Sequence, residues 1–356
     1  MTTTLLLLAC TPVPVVIDGD SAEPPATHDS GTVDTESPGD SDAPDPDDTD
    51  DTEPPDTDDQ EDTEDPPDSG EDTGDRVVDC EELPELVVEV NEVVGARGYH
   101  DVDFDSEGWI LGSDNSSLVR ADGAGSFEIW VPGLGMMEQM DWLHDGDLVV
   151  ARQQGSLTRI SPEGGTETLA TDLYAYEVNV DPNGMIWVAN NNNIYKVDPD
   201  TGEKTRLPIG GIQGGPRILA FSKDYSTLYA GVLSGGRLYT VGLDDDLEPT
   251  GDASLFATGM GNSYMDGLAV DVCGNIYVTE YSNSRLYRVS PDGEVTLIWD
   301  PPLTQYGHGL KWGTGEDGWR DDALYVPRPY GGNTVAEVVV DIPRWDWDGK
   351  VLNAPE

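Results

Sequence analysis

Gly267-Leu-Ala-Val-Asp-Val-Cys-Gly-Asn-Ile-Tyr-Val-Thr-Glu280, then Arg285-Leu-Tyr-Arg-Val289, Ser290-Pro-Asp-Gly293 and Val295-Thr-Leu-Ile-Trp299, reads as four short apolar strands joined by polar turns. Alternating apolar residues bounded by Gly, Asn, Asp and Pro mark antiparallel strands and tight connections. The unit recurs along the chain. Its second strands begin at Ile110, Leu148, Ile186, Leu228, Ile276 and Leu324, which are 38, 38, 42, 48 and 48 residues apart. A period of about 40–50 residues with several strands per unit is the signature of propeller blades. The third unit adds Ile194–Val197 and the turn Asp198-Pro-Asp-Thr-Gly202; the sixth offers Leu310–Trp312, Leu324–Val326 and Thr334–Val340, but no fourth strand. The run Leu86–Val93 has no blade of its own. Placed as the outer strand of the sixth blade, it closes the ring and removes the open edges. The expected fold is all-β: a six-bladed β-propeller closed by an N-terminal strand.

The chain has 356 residues and a formal net charge of −53, unevenly spread. Residues 1–75 hold 25 Asp or Glu and no Lys or Arg, with Asp, Thr, Ser and Pro dominating from Thr11 onward. Too little apolar surface is available there to offset the entropy of ordering, and like charges repel, so a disordered acidic linker is expected. Leu7-Leu8-Ala9-Cys10 matches a lipobox, with Cys10 the lipidated residue, although only nine residues precede it and no basic segment is among them. A start upstream of Met1 would supply the rest of a signal peptide. The expected organisation is a signal remnant at 1–10, a linker at 11–80, a propeller at 81–345 and a tail at 346–356. Such a chain is exported and lipid-anchored at a bacterial cell envelope, periplasmic or at the outer surface, touching membrane only through the anchor.

Residues 76–356 keep 46 acidic against 18 basic side chains. Phosphate contacts need Lys and Arg, so nucleic acid is not an expected partner. A small molecule or an envelope protein is, and the propeller is expected to be a monomer. Besides Cys10 the chain has Cys80 and Cys273. Cys273 falls in the turn between the first two strands of the fifth blade, and Cys80 just precedes the closing strand. Both belong to one side of the disc, and export permits a Cys80–Cys273 disulfide.

Asp266-Gly-Leu-Ala-Val-Asp271-x-x-Gly274-Asn275-Ile-Tyr-Val278 resembles the inner-strand signature of gluconolactonase and senescence-marker-protein propellers; Gly215-Pro216-Arg217-Ile-Leu-Ala-Phe-Ser222 is similar to another of their blades. NHL-repeat and strictosidine-synthase-like propellers share this cadence. The resemblance spans roughly residues 86–342. It implies a divalent metal held at the channel mouth by Glu, Asn and Asp, with the Asp also a base.

Aligning the six units on their strands puts His100, Glu138, Tyr176, Arg217, Asp266 and His308 at the head of each inner strand, facing the channel. None is aliphatic. His100, Glu138, Asp266 and His308 fall on consecutive blades and are ligand types that Zn²⁺, Mn²⁺ or Fe²⁺ would use; Ca²⁺ is a further candidate. Asp266 matches the family's Asp. His100 stands where Glu is expected, and Tyr176 and Arg217 where Asn is expected. A guanidinium has no lone pair for a metal, so any metal belongs on the Asp266–His308–His100–Glu138 side. The alternative is a polar channel in which Arg217 pairs with Asp266 or Glu138 and the histidines bond to water. Asn190–Asn193 offers contacts to a sugar or a plain turn, and Trp312, Trp319 and Tyr330 offer an apolar rim or core packing. A stretch such as Trp345-Asp346-Trp347-Asp348 would cover an outer edge.

Two functions follow. One is a ligand- or partner-binding propeller with its site at the channel mouth. The other is a metal-dependent hydrolase of lactones or related esters, with Asp266 or Glu138 as base and Arg217 and Tyr176 on the carbonyl side.

Overall fold

Each repeat unit folds as its alternation dictates, into an antiparallel four-stranded sheet, and six such sheets are formed. The computed structural model describes residues 78–345 except 82, 84–87, 115, 284, 302–306, 330 and 331. The chain divides into two units, 1–71 and 72–356, and the first lies outside the described residues. So do Cys10, most of the acidic segment, Tyr330 and the tail from residue 346.

The inner strands are β2 (Val102–Phe104), β6 (Met137–Trp142), β10 (Glu177–Val180), β14 (Pro216–Phe221), β18 (Met265–Val270) and β22 (Lys311–Trp312). The second strands are β3 (Ile110–Ser113), β7 (Leu148–Arg152), β11 (Ile186–Ala189), β15 (Thr227–Val232), β19 (Ile276–Glu280) and β23 (Ala323–Arg328). Their starts agree with the sequence expectation to within one residue. Side chains of these second strands are sealed between neighbouring blades: Val149, Trp187, Leu228, Tyr277 and Leu324 are wholly buried. Trp187 shows why the blades interlock. Its ring meets Phe221 of the next blade edge-on at 5.2 Å, while its Nε1 donates to Asp181 at 2.7 Å. A buried indole thus keeps both its apolar contact and its hydrogen bond.

The ring closes as expected. β1 (Glu89–Glu92) pairs antiparallel with β24 (Thr334–Val339), from Glu89 opposite Val339 to Glu92 opposite Ala336. Blade six is therefore a composite of both ends of the propeller. The Cys80–Cys273 disulfide is present, with the two Cα atoms 5.4 Å apart. It fastens the lead-in to β1 onto the β18–β19 turn, on the face opposite the heads of the inner strands. Residues near the other end dock on the same turn, where Val272 N donates to Pro343 O at 3.1 Å. No helix among the described residues is long and apolar enough to cross a membrane.

For Trp312 and Trp319 the structure shows the packing alternative. Trp319 packs on Phe104 and Tyr325 and bonds through Nε1 to Gly108 O, while Trp312 Nε1 bonds to Val270 O. Both belong to packing on the face away from the strand heads, because the 313–322 insertion joins the far end of β22 to β23. Neither forms a rim. Asn190 caps its own turn, accepting from Asn192 N and Asn193 N, which accounts for that tetrad structurally.

Candidate functional site

Three inner strands break register where the candidate residues sit. Pairing shifts between Met137 and Met140, between Pro216 and Ile218, and between Met265 and Gly267. Glu138, Arg217 and Asp266 lie inside these shifts. A bulge bends its strand and re-aims a side chain, so it turns the charged group toward the axis. His100, Tyr176 and His308 reach the same level from just before β2, β10 and β22. Glycine permits this crowding: a Cβ on Gly309 would lie 2.4 Å from Asp101 Oδ1, and Gly309 N donates to His100 O at 2.8 Å.

All six predicted positions join in one chain of contacts. The Arg217 guanidinium lies 4.3 Å from the Tyr176 ring centre, and its Nε donates to Asp266 Oδ1 at 2.5 Å. Asp266 Oδ2 is 3.1 Å from His308 Nδ1, and His308 Nδ1 is 3.1 Å from His100 Nδ1. His100 Nδ1 in turn lies 3.4 Å from Glu138 Oε2, whose other oxygen accepts from Gln153 Nε2 at 2.6 Å. Of the two open pairings for Arg217, the Asp266 one is formed.

Burial sets the charges. It opposes ionisation of Asp266, but Arg217 and His308 together outweigh it and hold the carboxyl below its ordinary range. For Glu138 burial wins over Arg217 and Gln153, pushing the carboxyl up to about 7. Burial, reinforced by His308, pushes His100 down to about 3, so its imidazole is neutral near pH 7. An ionised Asp266 fixes His308 as the Nδ1–H tautomer, leaving His100 Nδ1 to face Glu138; these proton positions are assigned from the bonding pattern. His100 Nε2 is buried and has no hydrogen-bond partner among the described residues. Buried polar atoms are seldom left unpaired, so this nitrogen marks a position for a water or a ligand atom.

Tyrosines surround this level. Tyr99 meets His100 edge-on at 4.6 Å, Tyr281 lies 4.4 Å from His308 and stacks at 6.0 Å on Tyr264, and Tyr264 also lies 5.1 Å from the Arg217 guanidinium. Tyr264 is 43% exposed, which puts it at the rim. Sequence reasoning missed these three. The available signal was adjacency, since Tyr99 and Tyr264 lie within two residues of ring positions.

A second tier lies three residues further along the inner strands. Lys311 Nζ donates to Met140 O at 3.0 Å and sits 3.2 Å from Asp103 and 3.9 Å from Asp141. Asp101 and Glu177 also act on it. Burial raises Asp101 to about 7 and Glu177 well above its ordinary range, and Lys311 pulls both back in part. One buried ammonium thus ties together inner strands from blades six, one and two. This tier too went unread in the sequence.

The donor set does not fit a resident divalent metal as arranged. Asp266 is engaged by Arg217, the imidazole Nδ1 atoms face each other, and Glu138 is held by Gln153. Among the described residues no group of three or more His, Cys, Asp or Glu side chains is arranged to hold an ion. A separate cavity of about 370 Å³, lined by Glu92, Asp122, Asp317, Trp319 and Glu337 among others, lies at the seam of blades six and one and includes none of the ring residues.

The bulged heads at Arg217 and Asp266 belong to the stretch for which a family likeness is found, and Glu138 lies just before it. Residues 142–308 match the family model described as SMP-30/Gluconolactonase/LRE-like region. The likeness expected from the inner-strand signature is thereby found over that span, which includes Tyr176, Arg217, Asp266 and His308. No curated protein matches the chain in sequence. Solved structures of the same architecture include a gluconolactonase from Xanthomonas campestris, at 14% identity and TM-score 0.58, over 72% of this chain and 90% of that one. An auxiliary nutrient binding protein from Bacteroides thetaiotaomicron aligns at 11% identity and TM-score 0.59, over 71% and 76%. Virginiamycin B lyase from Staphylococcus aureus aligns at 13% and 0.51, over 72% and 99%. At these identities the likeness is one of fold.

Proposed function

We propose that this protein is an exported, envelope-tethered propeller that binds a small uncharged molecule, bearing carbonyl or hydroxyl groups, at its channel mouth. The observation that carries the reading is His100 Nε2, a buried nitrogen without a partner among the described residues, at the centre of a polar floor. Around it Arg217 and Asp266 cancel each other's charge, and His100 is neutral. A floor whose Arg217–Asp266 charges cancel and whose Glu138 is only partly ionised near pH 7, ringed by tyrosines, suits an uncharged ring or carbonyl compound better than an anion, which the acidic surface also repels. Arg217 and Tyr176 orient the oxygen-bearing end of the ligand. The fold likenesses to a gluconolactonase and to a nutrient binding protein are compatible with this class of molecule.

The pairing of Glu138 with His100 supports a second reading, hydrolysis of a lactone or related ester. There Glu138, raised to about 7, takes a proton from attacking water and passes it to the departing ring oxygen, while His100 orients the carboxyl. Calorimetry with uncharged sugars and sugar lactones, run beside a hydrolysis assay on the same lactones, decides between the two. Saturable heat without turnover supports binding, and turnover lost in His100→Ala supports hydrolysis. Absence of both across the panel overturns the site. Export is supported by the Cys80–Cys273 disulfide, which an oxidising compartment sustains, and anchoring by the Leu7–Cys10 lipobox. Palmitate labelling that disappears in Cys10→Ser tests the anchor.

A further inference from the structure

Two carboxylates and two imidazoles from four consecutive blades converge at the channel mouth, with successive donor atoms 3.1, 3.1 and 3.4 Å apart. That is the donor chemistry of a transition-metal site. Yet the group resting on Asp266 is the guanidinium of Arg217. We infer that Arg217 has taken the place of a metal ion, making the mouth a metal-independent site whose fixed positive charge is built into the chain.

Three observations support it. Arg217 is 7% exposed and is positioned by a bulge, so its charge is a buried, deliberate feature of the strand. Its planar group lies against two aromatic rings, Tyr176 at 4.3 Å and Tyr264 at 5.1 Å, which fixes its orientation. Among the described residues Asp266 is its one ion-pair partner, and only through Nε. The remaining edge of the fork is available to a ligand oxygen, the role that a Lewis-acidic ion would otherwise fill. A guanidinium cannot ligate a metal, and its charge next to Asp266 opposes the entry of a dication. The inference concerns the ion content of the site and does not depend on which ligand it takes.

The test uses the full chain, stripped of metal and labelled with ¹⁵N in its histidines, and titrated with Zn²⁺ in physiological salt. The acidic N-terminal segment will collect ions loosely, so the readout is the imidazole nitrogens of His100 and His308 rather than total metal. In the wild type these signals are expected to stay in place at one equivalent of Zn²⁺. In Arg217→Asn they are expected to shift together and saturate at one equivalent, because Asp266 is released and the competing charge is gone. Arg217→Met removes the same charge without adding a donor, and is expected to behave likewise; it carries the test if the first variant fails to fold. Saturation of the wild-type imidazoles by one equivalent overturns the inference. So does a folded variant that holds no more Zn²⁺ than the wild type.

Discussion

The second tier lies three residues beyond the mouth on inner strands of blades six, one and two, and both bury charge, yet they differ in how that charge is answered. In the second tier a single ammonium, Lys311, reaches a carbonyl and two carboxylates from two other blades. At the mouth the charge is answered pairwise: Arg217 with Asp266, Glu138 with Gln153, and the imidazoles with each other. His100 Nε2 is among the buried atoms there that have no hydrogen-bond partner among the described residues. The comparison teaches that buried charge alone does not mark a site. A hub whose one ammonium serves carboxylates on several blades holds strands together, whereas a chain of pairs at the strand heads, beside the 43% exposed Tyr264, lies where a ligand can reach it.

The largest expected effect comes from breaking the hub. Lys311→Met leaves Asp103 and Asp141 buried without their counter-charge, and removing one partner from such a group costs about 3–5 kcal/mol. A urea-unfolding midpoint close to wild type would mean the second tier is not structural. Cys80→Ser is a control that touches neither tier. It opens the covalent loop around β1 and is expected to cost about 2–5 kcal/mol in the same assay, leaving ligand binding in the folded protein intact.

Smaller, and diagnostic of the mouth, is the pH response of Glu138. Its folded carboxyl is raised to about 7 from an ordinary value near 4.5, chiefly by burial. The folded state therefore holds a proton that the unfolded state releases, and stability from this group is full below pH ~4.5 and lost as pH rises through about 7. In Glu138→Gln that part of the decline should vanish, so the variant gains on the wild type between pH 5 and 8. Thermal unfolding profiles that run parallel across this range would contradict the assignment. The smallest stability effect is expected from His100→Ala, about 1 kcal/mol or less, paired with complete loss of calorimetric ligand binding. That contrast with Lys311→Met, large on stability and silent on chemistry, is the sharpest form of the comparison.

Much of this was legible because the chain repeats. Periodicity placed the second strands, and used as an internal alignment it named six residues that the structure joins in one chain of contacts. Three bulges were not legible: the extra residue at Glu138, Arg217 or Asp266 leaves no composition signal, because it is a matter of register between two strands. The choice of Asp266 over Glu138 as the partner of Arg217 follows blade order, since Asp266 stands on the next blade and Glu138 two blades away. Trp319 stayed open between rim and packing because an aromatic in a long insertion reads the same whether it caps a core or lines a mouth. Lys311 was overlooked for want of counting one pleat deeper, where Asp103, Asp141 and Lys311 occupy the equivalent places.

The most direct test of the account watches both tiers at once. Protein labelled with ¹⁵N at histidine and lysine is titrated with uncharged sugars and sugar lactones, following the His100 imidazole and the Lys311 ammonium by NMR. The account predicts a saturable shift at His100 for at least one compound, no shift at Lys311, and loss of binding in His100→Ala. Saturable binding that leaves His100 unmoved, or a panel in which no member shifts it, would contradict the placement of the site at the channel mouth.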